Sequence, residues 1–118
     1  MLHVLKYNGM AIAKNIELAR TVPGQMLGLM FRSSIPPDYA MVFIMKRPSF
    51  IILHMLFMRF PIDVILLDEE KRIIWLSRLN PWSGYKAMGN IKYIIETGAG
   101  TIERYSLGAG GQIEFEAG

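Results

Sequence analysis

The chain is expected to be mainly β, a small β-sandwich or barrel of jelly-roll-like type with one or two short helices. Three observations lead there. Apolar segments of strand length recur along the 118 residues, set apart by Pro, Gly, Asn and Asp turn signals. Only two segments, Pro23 to Arg32 and Thr101 to Leu107, suit a helix. Several strand-like segments are apolar at consecutive positions, which suits strands covered on both faces. A chain of this length closes one core, so residues 1–118 read as a single domain.

The elements follow in order. Leu2 to Tyr7 has strand composition, and Asn8-Gly9 is a strong hairpin signal. The chain returns as a strand over Met10 to Leu18, where Ile12, Ile16 and Leu18 share a face at period two. Pro23 suits the first turn of a helix. Met26, Leu27, Met30 and Phe31 continue at helical spacing to Arg32, and Ile35-Pro36-Pro37-Asp38 ends the segment. Met41 to Met45 is a short strand, Lys46-Arg47-Pro48-Ser49 a turn, and Phe50 to Met58 the next strand. Ile62 to Leu67 and Arg72 to Leu79 are strands joined by a turn at Asp68-Glu69-Glu70-Lys71. Asn80 to Gly89 reads as a loop, Lys92 to Thr97 as a strand, and Gly98-Ala99-Gly100 as a break. Thr101 to Leu107 suits a short helix with Thr101 or Gly100 near its cap. Gly108 to Gly111 is a turn and Gln112 to Glu116 a last edge strand.

Composition narrows the function. The apolar share is 52% and the charged share 19%, which favours a packed body over disorder. The absence of Cys excludes disulfides, thiolate zinc sites and thiol nucleophiles. A net charge of +3, with Lys and Arg scattered, is no nucleic-acid footprint, so no nucleic-acid partner is expected. MLHVLKYNG lacks the pattern of a secretory signal. The apolar stretch Met41 to Leu67 is broken by Lys46-Arg47-Pro48, Arg59 and Pro61, short of the roughly 18 uncharged residues a spanning helix needs. A soluble, cytoplasmic protein without a membrane partner is the expectation.

Five motifs occur in order: Ala19-Arg20-Thr21, Gly28-Leu29-Met30-Phe31-Arg32, Met41-Val42-Phe43, Phe60-Pro61-Ile62-Asp63, and Tyr93-Ile94-Ile95-Glu96 followed by Ala99-Gly100. In these the chain resembles the uncharacterised family known as domain of unknown function 192, over roughly Glu17 to Phe115. The resemblance implies a small, mainly β, jelly-roll-like domain of bacteria and archaea, and it implies no activity. The chain departs from the family pattern in two places. The usual aromatic-Met pair before the Pro-x-Asp element is replaced by His54-Met55 and Phe57-Met58. The last turn has Gly110-Gly111 where the family often has Gly-Asp.

Candidate site residues sit mainly in Leu53 to Asp68, an apolar run interrupted by His54, Arg59 and Asp63. A buried unpaired charge costs several kcal/mol, so ionisable groups in such a run need a reason. One reading of Asp63 is structural: it accepts from an Arg or from backbone N–H groups and pins helix to sheet. The other is an anion pocket in which Arg32 and Arg59 offer their guanidinium forks to a carboxylate or phosphate. His54 is either a rim histidine bonded to a backbone carbonyl or a general base oriented by Asp63. No Gly-x-Ser-x-Gly elbow accompanies it. His3 and His54, the two histidines, have no metal-ligand spacing, so no metal or other cofactor is expected. Trp82 and Tyr85, in a Pro/Gly-containing loop, could stack on a sugar or lid one end of a sandwich. Gly108 to Gly111 lacks a following helix and reads as a turn, not a phosphate cradle.

The functional expectation is a non-enzymatic binding domain for a small anionic or sugar-like molecule. Its pocket would be bordered by Leu53–Asp63, Arg32 and the Trp82 loop. The alternatives are a small hydrolase or isomerase using His54 and Asp63, and a protein-interaction module with an exposed apolar patch above roughly 400 Å².

Overall fold

The computed structural model describes residues 4–20, 34–55 and 58–115. Strands β1 (Leu5–Tyr7) and β2 (Met10–Ala13) form a hairpin. Its turn residues, Asn8 and Gly9, take positive φ of 48° and 85°. Two left-handed central residues match the right-handed twist of the flanking strands, which is why Asn-Gly is so strong a signal. The strand expected over Met10 to Leu18 is two strands. Lys14 bends the chain, and β3 (Asn15–Arg20) leaves for the other sheet. The Asp38 carbonyl accepts from the N–H groups of both Lys14 and Asn15 and holds that bend.

The longest strand, β4 (Tyr39–His54), covers what reads in the sequence as strand, turn and strand. Lys46 to Ser49 is a large bulge. Ile44 pairs with Tyr93 and Ser49 with Ile91, so five steps of β4 run against two of its partner. Pro48 lacks an N–H and is tolerated in a strand at such a site. The Lys92 ammonium donates to the carbonyls of Met45 and Lys46, groups that the broken ladder would otherwise leave unpaired.

Strand β5 (Ile62–Leu67) appears where expected, as does β6 (Ile73–Leu79) after the Asp68–Lys71 turn. Strand β7 (Tyr85–Gly98) begins seven residues before the strand expected at Lys92. Its first half pairs with Ile51–His54, so the second half of the expected Asn80–Gly89 loop is strand. Helix α1 (Thr101–Arg104) follows with Gly100 at its N-cap, and β8 (Ile113–Glu114) is the edge strand near the end. The helix expected at Pro23–Arg32 lies outside the described residues.

Two sheets result, with orders β3-β4-β7-β5-β6 and β2-β1-β8. The arrangement is a sandwich; the described strands close no barrel. Leu5, Ile12 and Ile113 of the small sheet pack on Val42, Ile65 and Ile95 of the large one. The opposite face of the large sheet carries a second apolar layer of Met41, Phe43, Val64, Leu66 and Ile94, joined by Met55, Met58, Ile35 and Phe60. Every residue of β5 is buried. This double cover is the physical reason for its unbroken apolar sequence. A bridge between Arg72 and Gln112, with Ile73 and Ile113 N–H bonds to Gly111 and Lys71 carbonyls, joins the β5–β6 turn to β8. None of the described helices is long and apolar enough to cross a membrane.

Candidate functional site

The Pro61-Ile62-Asp63 element delivers Asp63 to the start of β5. Alternation turns Ile62 and Val64 toward one face and Asp63 toward the other. Asp63 is fully buried. One carboxylate oxygen, Oδ1, accepts from Arg78 Nε at 3.2 Å. The other, Oδ2, accepts from the N–H groups of Gly100 at 3.0 Å and Ile102 at 2.9 Å. Those N–H groups open helix α1 and have no partner within the helix itself, so a strand side chain caps the helix from outside. Gly100 has φ of 105°, a conformation that costs glycine little. Arg78 continues outward to Glu103 Oε1 at 2.6 Å. The carboxylates of Glu103 and Asp63 raise the already high pKa of the Arg78 guanidinium further.

Asp63 therefore pins helix to sheet. The arginine that meets it is Arg78, one strand away, and not Arg59, which is exposed two residues before the start of β5's Pro-x-Asp element. Arg32 lies outside the described residues. His54 is exposed at the end of β4, opposite Tyr85. Asp63 pairs with Thr97, twelve positions along β7 from Tyr85. The two groups of the acid–base alternative thus occupy separate register positions, and among the described residues Asp63 is bonded by Arg78 and the start of helix α1. Trp82 and Tyr85 are 59% and 63% exposed. The Trp82 N–H donates to the Met55 carbonyl at 2.7 Å, and the Gly84 carbonyl accepts from Met55 N–H, so their loop is docked on the end of β4. Phe50 and Ile52 extend the same outward strip. Among the described residues no group of three His, Asp or Glu side chains converges as a metal site.

A solvent-open cleft of about 270 Å³ lies on the other side of α1. Pro36, Asp38 and Tyr39 form one wall; Gly98, Thr101 and Arg104 form the other. Thr101 Oγ1 donates to the Gly98 carbonyl at 2.9 Å and stiffens that wall. Arg104 forms no ion pair among the described residues and lies 5.6 Å from the Tyr105 ring. The other buried acid among the described residues is Glu96, on the opposite face of β7 from Asp63's partner Thr97. It is 6% exposed, and burial pushes its carboxyl up to about 7.

Arg78, Glu103 and Arg104 are not among the residues singled out from sequence, and Glu96 enters there only as the end of the Tyr93-Ile94-Ile95-Glu96 motif, with no role attached. For Arg78 the local signal points elsewhere: a hairpin centred on the Asp68–Lys71 turn would set Leu76 across from Asp63, and the register shift between Leu66 and Leu67 brings Arg78 there instead. For the cleft none existed, since its walls come from segments sixty residues apart.

The sequence profile described as Uncharacterized ACR, domain of unknown function 192, matches residues 3–115. A UPF0127 protein of Pyrococcus furiosus is 37% identical over 117 residues, which cover 98% of this chain and 97% of the relative. A UPF0127 protein of Thermococcus sibiricus is 34% identical over 113 residues, covering 94% of this chain and 72% of the relative. Two crystal structures share the fold. One, from Sinorhizobium meliloti 1021 and provisionally described as a transcription regulator, has a TM-score of 0.82 at 21% identity, covering 98% of this chain and 94% of its own. The other, a protein of unknown function from Novosphingobium aromaticivorans, has a TM-score of 0.79 at 23% identity, covering 96% and 84%.

Proposed function

The chain belongs to the family of domain of unknown function 192, and we propose that it serves as a non-enzymatic binding domain for a small anionic or sugar-like molecule. The ligand would sit in the cleft between Pro36–Tyr39 and Gly98–Arg104. The observation that supports this reading is the cleft itself, with Arg104 on one wall and Asp38 and Tyr39 on the other. An arginine with no ion-pair partner among the described residues suits a carboxylate, a phosphate or a sugar hydroxyl pair. A volume of about 270 Å³ suits a small ligand and not a polymer. Support for binding over catalysis comes from Asp63, which is engaged by Arg78 and α1, and from His54, which faces solvent at another register position. A second surface for a ring-bearing ligand is offered by the exposed Trp82 and Tyr85 side chains, with His54 beside them.

The test is an NMR titration of the full chain with small carboxylates, phosphates and monosaccharides. One ligand class should shift the amides of Gly98 to Thr101, and Arg104→Ala should weaken it by about tenfold, the loss of one charge-assisted hydrogen bond. Shifts confined to Trp82 and Tyr85, removed by Tyr85→Ala, would move the site to the other end of β7. No response to any of the three classes would overturn the reading.

A further inference from the structure

Glu96 lies in the central strand of the large sheet and is 6% exposed. It pairs with Met41 on β4 and Val64 on β5, on the apolar face that carries Phe43, Leu66 and Ile94. Among the described residues no donor reaches its carboxyl. Few native carboxyl groups are buried in this way, because an unpaired polar group in an apolar layer is costly and an unpaired charge far more so. Among the described side chains, the strands around it bring no cation to that face. On that face β4 contributes Tyr39, Met41 and Phe43, and β5 contributes Ile62, Val64 and Leu66. One strand further out, Ser77 of β6 aligns with Val64, and Glu17 of β3 aligns with Met41. Glu17 accepts from the Tyr39 hydroxyl at 2.7 Å, so among the described residues the titratable groups that these strands place on that face are a carboxylate and the tyrosine bonded to it. Asp63 and Arg78 belong to the other face. Burial without a compensating charge is what lifts the Glu96 carboxyl to about 7.

The same face leads to the cleft. Two residues beyond Glu96, a Cβ at Gly98 would lie 3.8 Å from Ile35 Cδ1. Ile35 therefore packs over the strand end and leads directly into Pro36–Tyr39, one wall of the cleft. Tyr39 is itself buried in the layer that holds Glu96.

We propose that Glu96 is a proton-operated latch on this wall: while neutral it lets the Ile35 and Tyr39 side chains stay packed on the apolar face, and on ionising it draws water onto that face and loosens them. Ionisation also puts a second carboxylate on the face that carries Glu17. The latch acts on the wall whichever ligand fills the cleft, so its test needs no ligand.

The experiment uses the isotope-labelled full chain between pH 5.5 and 8.5. The Glu96 side-chain carboxyl carbon is followed by NMR, and amide protection is measured at Tyr39, Ala40 and, as a reference in β5, Ile65. The carboxyl should titrate near 7. Across the same midpoint, protection at Tyr39 and Ala40 should fall at least about tenfold more than at Ile65. Glu96→Gln, similar in shape and unable to ionise, should remove that difference. The proposal is overturned if the carboxyl titrates in the ordinary carboxylate range, or if Tyr39 and Ala40 lose protection only in step with Ile65. Both of these readouts come from wild type, so a variant that fails to fold leaves the test intact.

Discussion

Asp63 and Glu96 lie one register step apart on paired strands, and their carboxylates point to opposite faces of the five-stranded sheet. Asp63 pairs with Thr97 and Glu96 with Val64. On one face the carboxylate receives three donors, from Arg78, Gly100 and Ile102. On the other it receives none among the described residues and stays among Met41, Val64 and Ile94. Both residues are acids buried in apolar strands, but the physics differs. The first is an anion whose hydration has been replaced by fixed N–H groups; the second is accommodated in the folded state as a neutral acid.

Removing the first should loosen the junction of helix and sheet. Asp63→Ala deprives two backbone N–H groups of their acceptor and is expected to lower stability by about 2–4 kcal/mol. Asp63→Asn should fall between wild type and Ala, because its remaining carbonyl oxygen can still accept from α1. Arg78→Ala should cost less than Asp63→Ala, since the guanidinium is partly in water and its loss leaves the two bonds to α1 in place. Urea denaturation of the three variants checks the order. An Arg78 variant weaker than the Asp63 variant would show that the ion pair, not the cap, holds the junction.

Much of this frame is legible in the sequence because it is set by local chemistry. Asn8-Gly9 supplies two left-handed residues, and the Asp68–Lys71 turn marks where β5 gives way to β6, though a shift between Leu66 and Leu67 sets their register. The break at Gly98-Ala99-Gly100 ends β7 where the helix cap begins. The misread parts depend on distant partners. Lys46 to Ser49 has the composition of a turn, and it stays within a strand because Lys92, from β7, binds the carbonyls that the bulge frees. Tyr85 to Gly89 is rich in loop residues and becomes ladder because Ile51 to His54 run beside it. The parallel pairing of β3 with β4 joins residues more than twenty positions apart and leaves no local trace. Glu96 reads as a polar position in an ordinary strand; only the second apolar layer makes it unusual.

Stability should fall as pH rises through the range in which Glu96 ionises. Its folded-state pKa, about 7, is above the value of 4.5 for a free side chain. The folded state therefore binds more protons than the unfolded state between these values, and stability declines with increasing pH there. Below about 4.5 the cost is absent, and above about 7 it is fully present. Its upper limit is about 3 kcal/mol, from about 1.4 kcal/mol per pKa unit. Opening of the cleft wall would make it smaller. Chemical denaturation between pH 5 and 8 should show this decline in wild type, and Glu96→Gln should flatten it. A wild-type profile that rises over that interval would contradict the neutral-acid reading.

The bulge in β4 should depend on a single ammonium group. Lys92→Met keeps most of the side-chain length but removes the donor to Met45 and Lys46 carbonyls. A loss of about 1–3 kcal/mol is expected, the usual effect of deleting a charged hydrogen-bond partner. Hydrogen exchange should locate the change at Met45 to Ser49 and leave β5 protected. Equal protection in the variant at those residues would mean that Pro48 and the apolar layer suffice to hold the bulge.

The loop that follows β6 should tolerate almost nothing at Gly84. A Cβ there would lie 2.6 Å from Met55 Cγ and 2.8 Å from Leu79 Cβ, both inside any normal contact. Met55 can swing its flexible side chain, but Leu79 Cβ is tied to the backbone of β6. The loop must therefore lift, and two bonds depend on its position: Met55 N–H to the Gly84 carbonyl at 3.1 Å and Trp82 N–H to the Met55 carbonyl at 2.7 Å. Gly84→Ala is expected to cost about 1–3 kcal/mol, in the range of an overpacked core. Tyr85 begins β7 one residue later, so the change should also shift Trp82 and Tyr85 in an NMR spectrum while Gly98 to Thr101 stay fixed. That separation has a use beyond stability. A ligand that still binds Gly84→Ala unchanged occupies the Arg104 cleft, whereas one that is lost occupies the aromatic end beside His54.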